Sequence, residues 1–179
     1  MEIKLATQQD IEEVGVLYQA IRKHLEENVN YTAWGNTQWG LNDYPTVNVA
    51  QEAFNNNHLY IAKNDSGEII GTVVLNSNQD KTYLPVEWQH DKFLVVHTLA
   101  TSPNHLKQGV ARAILAFAEK LATENGLNSI RLDTFELNTP AQKLYESLGY
   151  NYRGIIDLKP NIDRKEKYFV YEKLLEEKK

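Results

Sequence analysis

The sequence predicts a mixed α/β fold, a sheet with helices packed on it. Three observations predict it. Short β-branched runs and helix-periodic runs follow one another as strand, helices, three strands, helix, strand, helix, two strands. The chain has 179 residues, 42% hydrophobic and 24% charged, which suits one sizeable core. No internal repeat and no Pro/Gly/Ser-rich linker divides it, so residues 1–179 are expected to form a single domain.

Each element has its own signal. Glu2 to Leu5 reads as a short strand. Thr7 opens a helix with Asp10 in its first turn, and Ile11, Val14, Tyr18, Ile21 and Leu25 recur at helical spacing. Asn28 to Tyr44 is polar, aromatic and loop-like. "YPTVNVAQEAF" is a second helix with Pro45 near its start. "HLYIAK" and "EIIGTVVLN" are strands joined as a hairpin through Asp65-Ser66-Gly67. "QDKTYLPVEWQHD" is a loop or an irregular strand edge, and "KFLVVHTLAT" is a central strand. A helix follows from about Lys107 to Asn125, with Val110, Ile114, Phe117 and Leu121 as its buried stripe and Gly126 as its stop. "SIRLDTF" is a strand. In "NTPAQKLYESLGY" Thr139 is expected to cap a helix, with Pro140 at its first position, Gln142 completing a capping box and Gly149 ending it. "YRGIIDL" and "EKYFVYEKLL" are the last strands.

Composition excludes several functions. The chain has no cysteine, so disulfides, zinc–thiolate centres and thiol nucleophiles are absent, and no metal is called for. No apolar run approaches the ~20 residues that span a bilayer, and "MEIKLATQQD" lacks the apolar stretch of a signal peptide. A cytoplasmic location without membrane partners is therefore expected. The net charge of −5 argues against nucleic acid as a partner and admits a cationic small substrate.

The stretch "HLKQGVARAIL" carries the first functional signal. A helix start leaves about four amides without intrahelical acceptors, and a Ser, Thr or Asp side chain usually takes some of them. None stands beside this start. Instead there is Gly109, with Lys107 and Arg112 on either side, a combination suited to an anion. A tight turn with water on its amides is the structural alternative. Neither G-x-x-x-x-G-K-[ST] nor G-x-G-x-x-G occurs, so the site is neither a P-loop nor a dinucleotide fingerprint.

The succession "HTLATSPNHLKQGVARAIL", "SIRLDTFELN" and "AQKLYESLGY" resembles the GNAT N-acetyltransferase superfamily, most closely from Lys92 to Gly154. In that family the loop reads Gln or Arg, two residues, Gly, one residue, then Gly or Ala. Gly109 and Ala111 match, Leu106 departs at the first position, and "LYESLGY" matches a second signature. The resemblance implies a single-domain GNAT-like fold, its mostly antiparallel central sheet splayed at the acyl-CoA site and helices on both faces. It implies acetyl-CoA as cosubstrate and an amine acceptor. Leu99, Ala100 and Thr101 would pair with the pantetheine arm. Lys107, Gln108, Gly109, Val110, Ala111 and Arg112 would hold the pyrophosphate. Asn138 and Tyr145 would lie near the thioester.

Acetyl transfer by direct attack needs a neutral amine, a donor for the developing oxyanion and a proton for the departing thiolate. Main-chain N–H groups near Leu99 to Thr101 suit the oxyanion. Tyr145 is the candidate acid, although it also reads as core, sharing a helical face with Ala141, Leu144 and Leu148. His97 is the first candidate base. It reads equally as a core histidine, on a strand face with Val95, Leu99 and Thr101. Its place before "LAT" is similar to that of a histidine in arylalkylamine N-acetyltransferases. Glu87 is the second, and it reads also as a solvated loop carboxylate. Trp34, Trp39 and Tyr44 are expected to wall the acceptor pocket or fill the core, with Asp43 available to a cation. Polyamine, amino acid, aminoglycoside and peptide N-terminus stay open as acceptors, and so does a homodimer. A non-catalytic acyl-CoA sensor is the rival reading.

Overall fold

The computed structural model describes residues 1–34, 44–158 and 166–176. Its elements are β1 (Glu2–Leu5), α1 (Ile11–Glu27), α2 (Val47–Asn55), β2 (Leu59–Lys63), β3 (Ile69–Asn76), β4 (Phe93–Thr101), α3 (Val110–Glu124), β5 (Ser129–Phe135), α4 (Thr139–Ser147), β6 (Asn151–Asp157) and β7 (Lys167–Leu174). The element order is the one the sequence predicts. The sheet order is β1-β2-β3-β4-β5-β7-β6. The β1–β2, β2–β3, β5–β7 and β6–β7 pairs are antiparallel and β4–β5 is parallel. Among the described residues no helix is long and apolar enough to cross a membrane.

The chain forms two compact units. The first holds Met1–Asn30, Trp34–Leu75 and His97–Phe117; the second holds Tyr31–Ala33, Asn76–Val96 and Ala118–Lys179. In the first, the apolar stripe of α1 (Ile11, Val14, Leu17, Tyr18, Ile21) packs with Ala50 and Ala53 of α2 and with Leu59, Ile61, Ile69 and Val74 of β2 and β3. Asp10 fixes the entry to α1. Its carboxylate accepts the Thr7 N–H (2.8 Å) and hydroxyl (2.7 Å), and meets the Lys63 ammonium of β2 at 2.7 Å. Burial alone would raise its pKa, but Lys63 and Thr7 more than offset this and hold the carboxyl below its ordinary value.

In the second unit β5 and β7 pair from Ser129↔Leu174 to Phe135↔Tyr168. Arg131 of β5 has its guanidinium between the rings of Trp88 (4.3 Å) and Phe93 (3.7 Å), with its Nε 3.6 Å from Glu172 of β7. Arg153 approaches the other Glu172 oxygen at 3.6 Å, and the Gln89 N–H donates to it at 2.9 Å. A carboxylate this buried persists only when it is paired and hydrogen-bonded in this way.

Three local expectations need correction. The third helix starts at Val110, not Lys107, and ends at Glu124, because Lys107 and Gly109 both have left-handed φ (61° and 82°). Its fully buried positions are Val110, Ile114, Leu115, Ala118 and Ala122, while Phe117 and Leu121 are half-buried. The cap of α4 is Asn138, whose side-chain oxygen accepts the Ala141 N–H at 3.3 Å. Thr139 is already helical, and the Gln142 amide reaches back to the Glu136 carbonyl (2.8 Å) in place of a capping box.

Candidate active site

The first unit builds the predicted anion loop. After Thr101 the chain is pinned at the buried Ser102, whose N–H donates to the Ile70 carbonyl at 2.9 Å. A short 3-10 turn (Pro103–His105) leads through Leu106 to α3. Left-handed φ at Lys107 and again at Gly109 flanks Gln108, and alternating hand is the backbone pattern that turns successive N–H groups to one side. A Cβ added at Gly109 would meet nothing within 4 Å, so protein does not fill the space beside it. Lys107, Gln108 and Arg112 are exposed around that space, Ala111 is half-buried, and Val110 is buried as the anchor of the turn. The Ala113 N–H bonds back to the Gly109 carbonyl at 2.9 Å. The amides before it belong to the turn that a helix start leaves without intrahelical acceptors.

Gly71 sets where this turn sits. A Cβ there would lie 2.8 Å from Val110 Cγ1, 2.9 Å from Ile114 Cδ1 and 3.1 Å from the Ala100 carbonyl oxygen. The absent side chain on β3 lets the first turn of α3 and the end of β4 come close. A glycine inside "EIIGTVVLN" was the available sequence signal.

His97, Leu99, Ala100 and Thr101 all lie on the last part of β4; Ala100 is buried and the other three are half-buried. Strict alternation does not carry through this stretch. Thr98 has φ +47°, a left-handed residue inside a strand, so the two-face assignment of residues 95–101 fails at that point. The Thr98 hydroxyl meets the Tyr44 hydroxyl at 2.5 Å, and the Tyr44 ring packs edge-on against Trp34 with centroids 5.9 Å apart. Trp34 also packs against the apolar core of this unit, as Leu25 and Phe54 do. Trp39 and Asp43 lie outside the described residues.

The second unit carries Asn138, Tyr145 and Glu87. Tyr145 is buried, its ring 5.8 Å from Tyr171 and 6.1 Å from Tyr150. Burial first, then the negative charge of Asp133 and the neighbouring Tyr171, raises its phenol above the ordinary value. It therefore stays protonated at any working pH. Asn138 is committed to capping α4 by the bond that fixes the start of Tyr145's helix. Glu87 is exposed, and its main-chain carbonyl takes the Arg153 guanidinium (3.1 Å from Nε). Among the described residues no group of three or more His, Asp or Glu side chains is placed to hold a metal ion.

A model of the GNAT acetyltransferase family matches residues 22–150, spanning the loop, β4, β5 and α4. The chain belongs to this family. Its sequence is 34% identical over 88 residues to streptothricin acetyltransferase of Escherichia coli, a stretch covering 49% of this chain and 44% of that one. It is 36% identical over 59 residues to the uncharacterized N-acetyltransferase YsnE of Bacillus subtilis, covering 32% and 39%. The chain thus spans less than half the length of these curated relatives. Among solved structures, a GNAT-family acetyltransferase from Streptococcus agalactiae shares the fold with a TM-score of 0.77 at 22% identity, covering 98% and 96% of the two chains. The ribosomal-protein-S18-alanine N-acetyltransferase of Escherichia coli does so with a TM-score of 0.68 at 14% identity, covering 99% and 96%.

One charged group of this GNAT protein escaped the sequence reading. Asp133 of β5 is half-buried and accepts the Tyr83 hydroxyl on Oδ2 at 2.6 Å. Burial raises its carboxyl above the ordinary value, with the Tyr83 bond pulling the other way. The available signal was an acidic residue at an alternating position of "SIRLDTF", two residues from Arg131, in a strand otherwise fit for burial.

Proposed function

We propose that this GNAT protein is an acetyl-CoA-dependent N-acetyltransferase that acts on a primary amine by direct attack. The observation that carries the reading is the Lys107–Arg112 turn, with its two left-handed residues and the unfilled space beside Gly109 at the start of α3. A pyrophosphate fits such a turn: main-chain N–H groups, the positive end of the helix and two exposed cations all favour an anion there. Leu106 is exposed and gives up one polar contact of the family pattern, but the main-chain donors do not depend on it.

Acetyl-CoA supplies the thioester and a good leaving group. The chain's residues supply the rest. Main-chain amides at Leu99 to Thr101 hold the pantetheine arm and offer a donor to the oxyanion. His97 takes the proton from the attacking amine, with exposed Glu87 as the second candidate. Tyr145 returns a proton to the thiolate, for which its protonated state suits it. Asn138 holds α4, and so Tyr145, in place. Trp34 and Tyr44 form an acceptor wall. The streptothricin acetyltransferase relative makes streptothricin the first acceptor to try.

The test is release of free thiol from acetyl-CoA across streptothricin, polyamines, amino acids, aminoglycosides and peptides with free N-termini. Amine-dependent release is expected with at least one class. Acetyl-CoA binding without release by any amine would instead favour the sensor reading.

A further inference from the structure

We propose that Asp133 anchors a positively charged group of the acceptor, through a carboxylate set on an aromatic face of β5 and β7. The inference rests on the acetyltransferase reading and narrows its acceptor to a cationic amine.

The strand register puts the face together. Asp133 and Phe135 alternate onto one side of β5, opposite Val170 and Tyr168 of β7. Phe135 and Tyr168 pack with ring centroids 5.8 Å apart. Tyr83 covers this face, clustering with Ile156, Val170 and Tyr168, and donates its hydroxyl to Asp133 Oδ2. Tyr145 of α4 packs instead on Tyr171, which follows Val170 and so points to the opposite side.

The carboxylate is only partly used. Oδ2 holds Tyr83, and among the described residues Oδ1 has no donor. Half-burial leaves the group within reach of a ligand. Among the described residues, the cation that shares its strand does not neutralise it. Arg131, two residues earlier on the same face, is taken by Glu172, by the Gln79 side chain (2.8 Å) and by the His90 carbonyl. Among the described residues, Asp80 lies beside Tyr83 with Lys81 next to it, and Glu166 accepts the Tyr168 hydroxyl at 3.1 Å. A half-buried carboxylate with an open oxygen, ringed by Tyr83, Phe135 and Tyr168, meets an ammonium with both charge and aromatic surface. Neither a neutral nor an acidic acceptor uses these features.

The sign of the pH effect follows. Protonation of Asp133 removes the anchor, and burial has raised the pH at which that happens. The acceptor KM should climb as pH falls, starting above the ordinary carboxylate range near 3.8. Asp133→Asn should raise the acceptor KM about 10- to 100-fold, the scale of one hydrogen bond to a charged group. The effect should fall chiefly on KM, with the KM for acetyl-CoA unchanged. Tyr83→Phe should keep the anchor but move the acid rise in KM to higher pH, because it removes the donor that stabilises the charged carboxylate.

Steady-state kinetics from pH 5 to 9, with the best amine found for the wild type, decide it. An unchanged acceptor KM in folded Asp133→Asn, or a loss confined to kcat, overturns the anchor while leaving the acetyltransferase reading intact. If Asp133→Asn does not fold, an unmoved acid limb in Tyr83→Phe overturns it equally. A wild type that releases thiol with no amine sinks the acetyltransferase reading and the anchor together.

Discussion

Tyr145 shows what a single residue discloses before its surroundings are known. Its helix is bounded in sequence by Thr139, Pro140 and Gly149, so its direction along the helix was legible although the cap proved to be Asn138. Its protonation state was not, because that depends on burial and on Asp133, which no spacing reports. Removing only the hydroxyl separates chemistry from packing. Tyr145→Phe keeps the ring contacts with Tyr150 and Tyr171. Thiolate is a tolerable leaving group, so the expected loss of turnover is near 10²-fold, the low end for general acid catalysis. Melting temperature and acetyl-CoA affinity should barely move. Near-normal kcat in the purified variant would mean that water protonates the thiolate and that Tyr145 serves packing alone. Asp133 is the contrasting case. Its letter was visible in "SIRLDTF", but the Tyr83 hydroxyl that singles it out comes from 50 residues away.

Elements were legible where local physics sets them and misread where tertiary contact does. The spans of β1 and β5 follow from apolar–polar alternation in "EIKL" and "SIRLDTF", and α1 from its apolar spacing. The start of α3 slipped from Lys107 to Val110 because two left-handed residues are a backbone state that sequence only hints at through Gly109. The break of alternation at Thr98 had no hint at all, since a β-branched residue is a poor left-handed residue. Gly71 gives the element scale its test. Gly71→Ala puts a methyl against Val110 and Ile114, whose side chains can yield, and against the Ala100 carbonyl, which cannot yield readily. Overpacking of this kind costs about 1–3 kcal/mol. The melting temperature should fall by roughly 2–12 °C for a chain of this size. Acetyl-CoA affinity should fall with it, because Val110 anchors the loop. Val110→Ala in the Gly71→Ala background should recover part of both losses, since contacting residues are not additive. Strict additivity in that cycle would show that α3 does not depend on the gap left by Gly71.

At the scale of the whole molecule the fold is the mixed α/β sheet that the sequence predicts, and within it the chain clusters into two compact units. Sequence could not separate them, because no linker marks the boundary. The chain passes between the units inside regular elements: β4 contributes Phe93–Val96 to the second unit and His97–Thr101 to the first, and α3 changes unit between Phe117 and Ala118. Unfolding either unit therefore cuts a strand and a helix that the other unit needs. A helix or strand truncated in this way loses the cooperativity that makes it stable. The chain should melt in one transition, with calorimetric and van't Hoff enthalpies in agreement. Acetyl-CoA, whose predicted main-chain and phosphate contacts all lie within His97–Phe117, should raise that one midpoint for the entire chain. At about 100 times its dissociation constant a ligand adds roughly 2.7 kcal/mol. At about 2–4 °C per kcal/mol for this length, the rise should be roughly 5–11 °C. Differential scanning calorimetry with and without acetyl-CoA reads both quantities at once. Two separable transitions, with acetyl-CoA moving only one, would show that the units fold independently. A single transition that acetyl-CoA leaves in place would take the pyrophosphate away from the Gly109 turn.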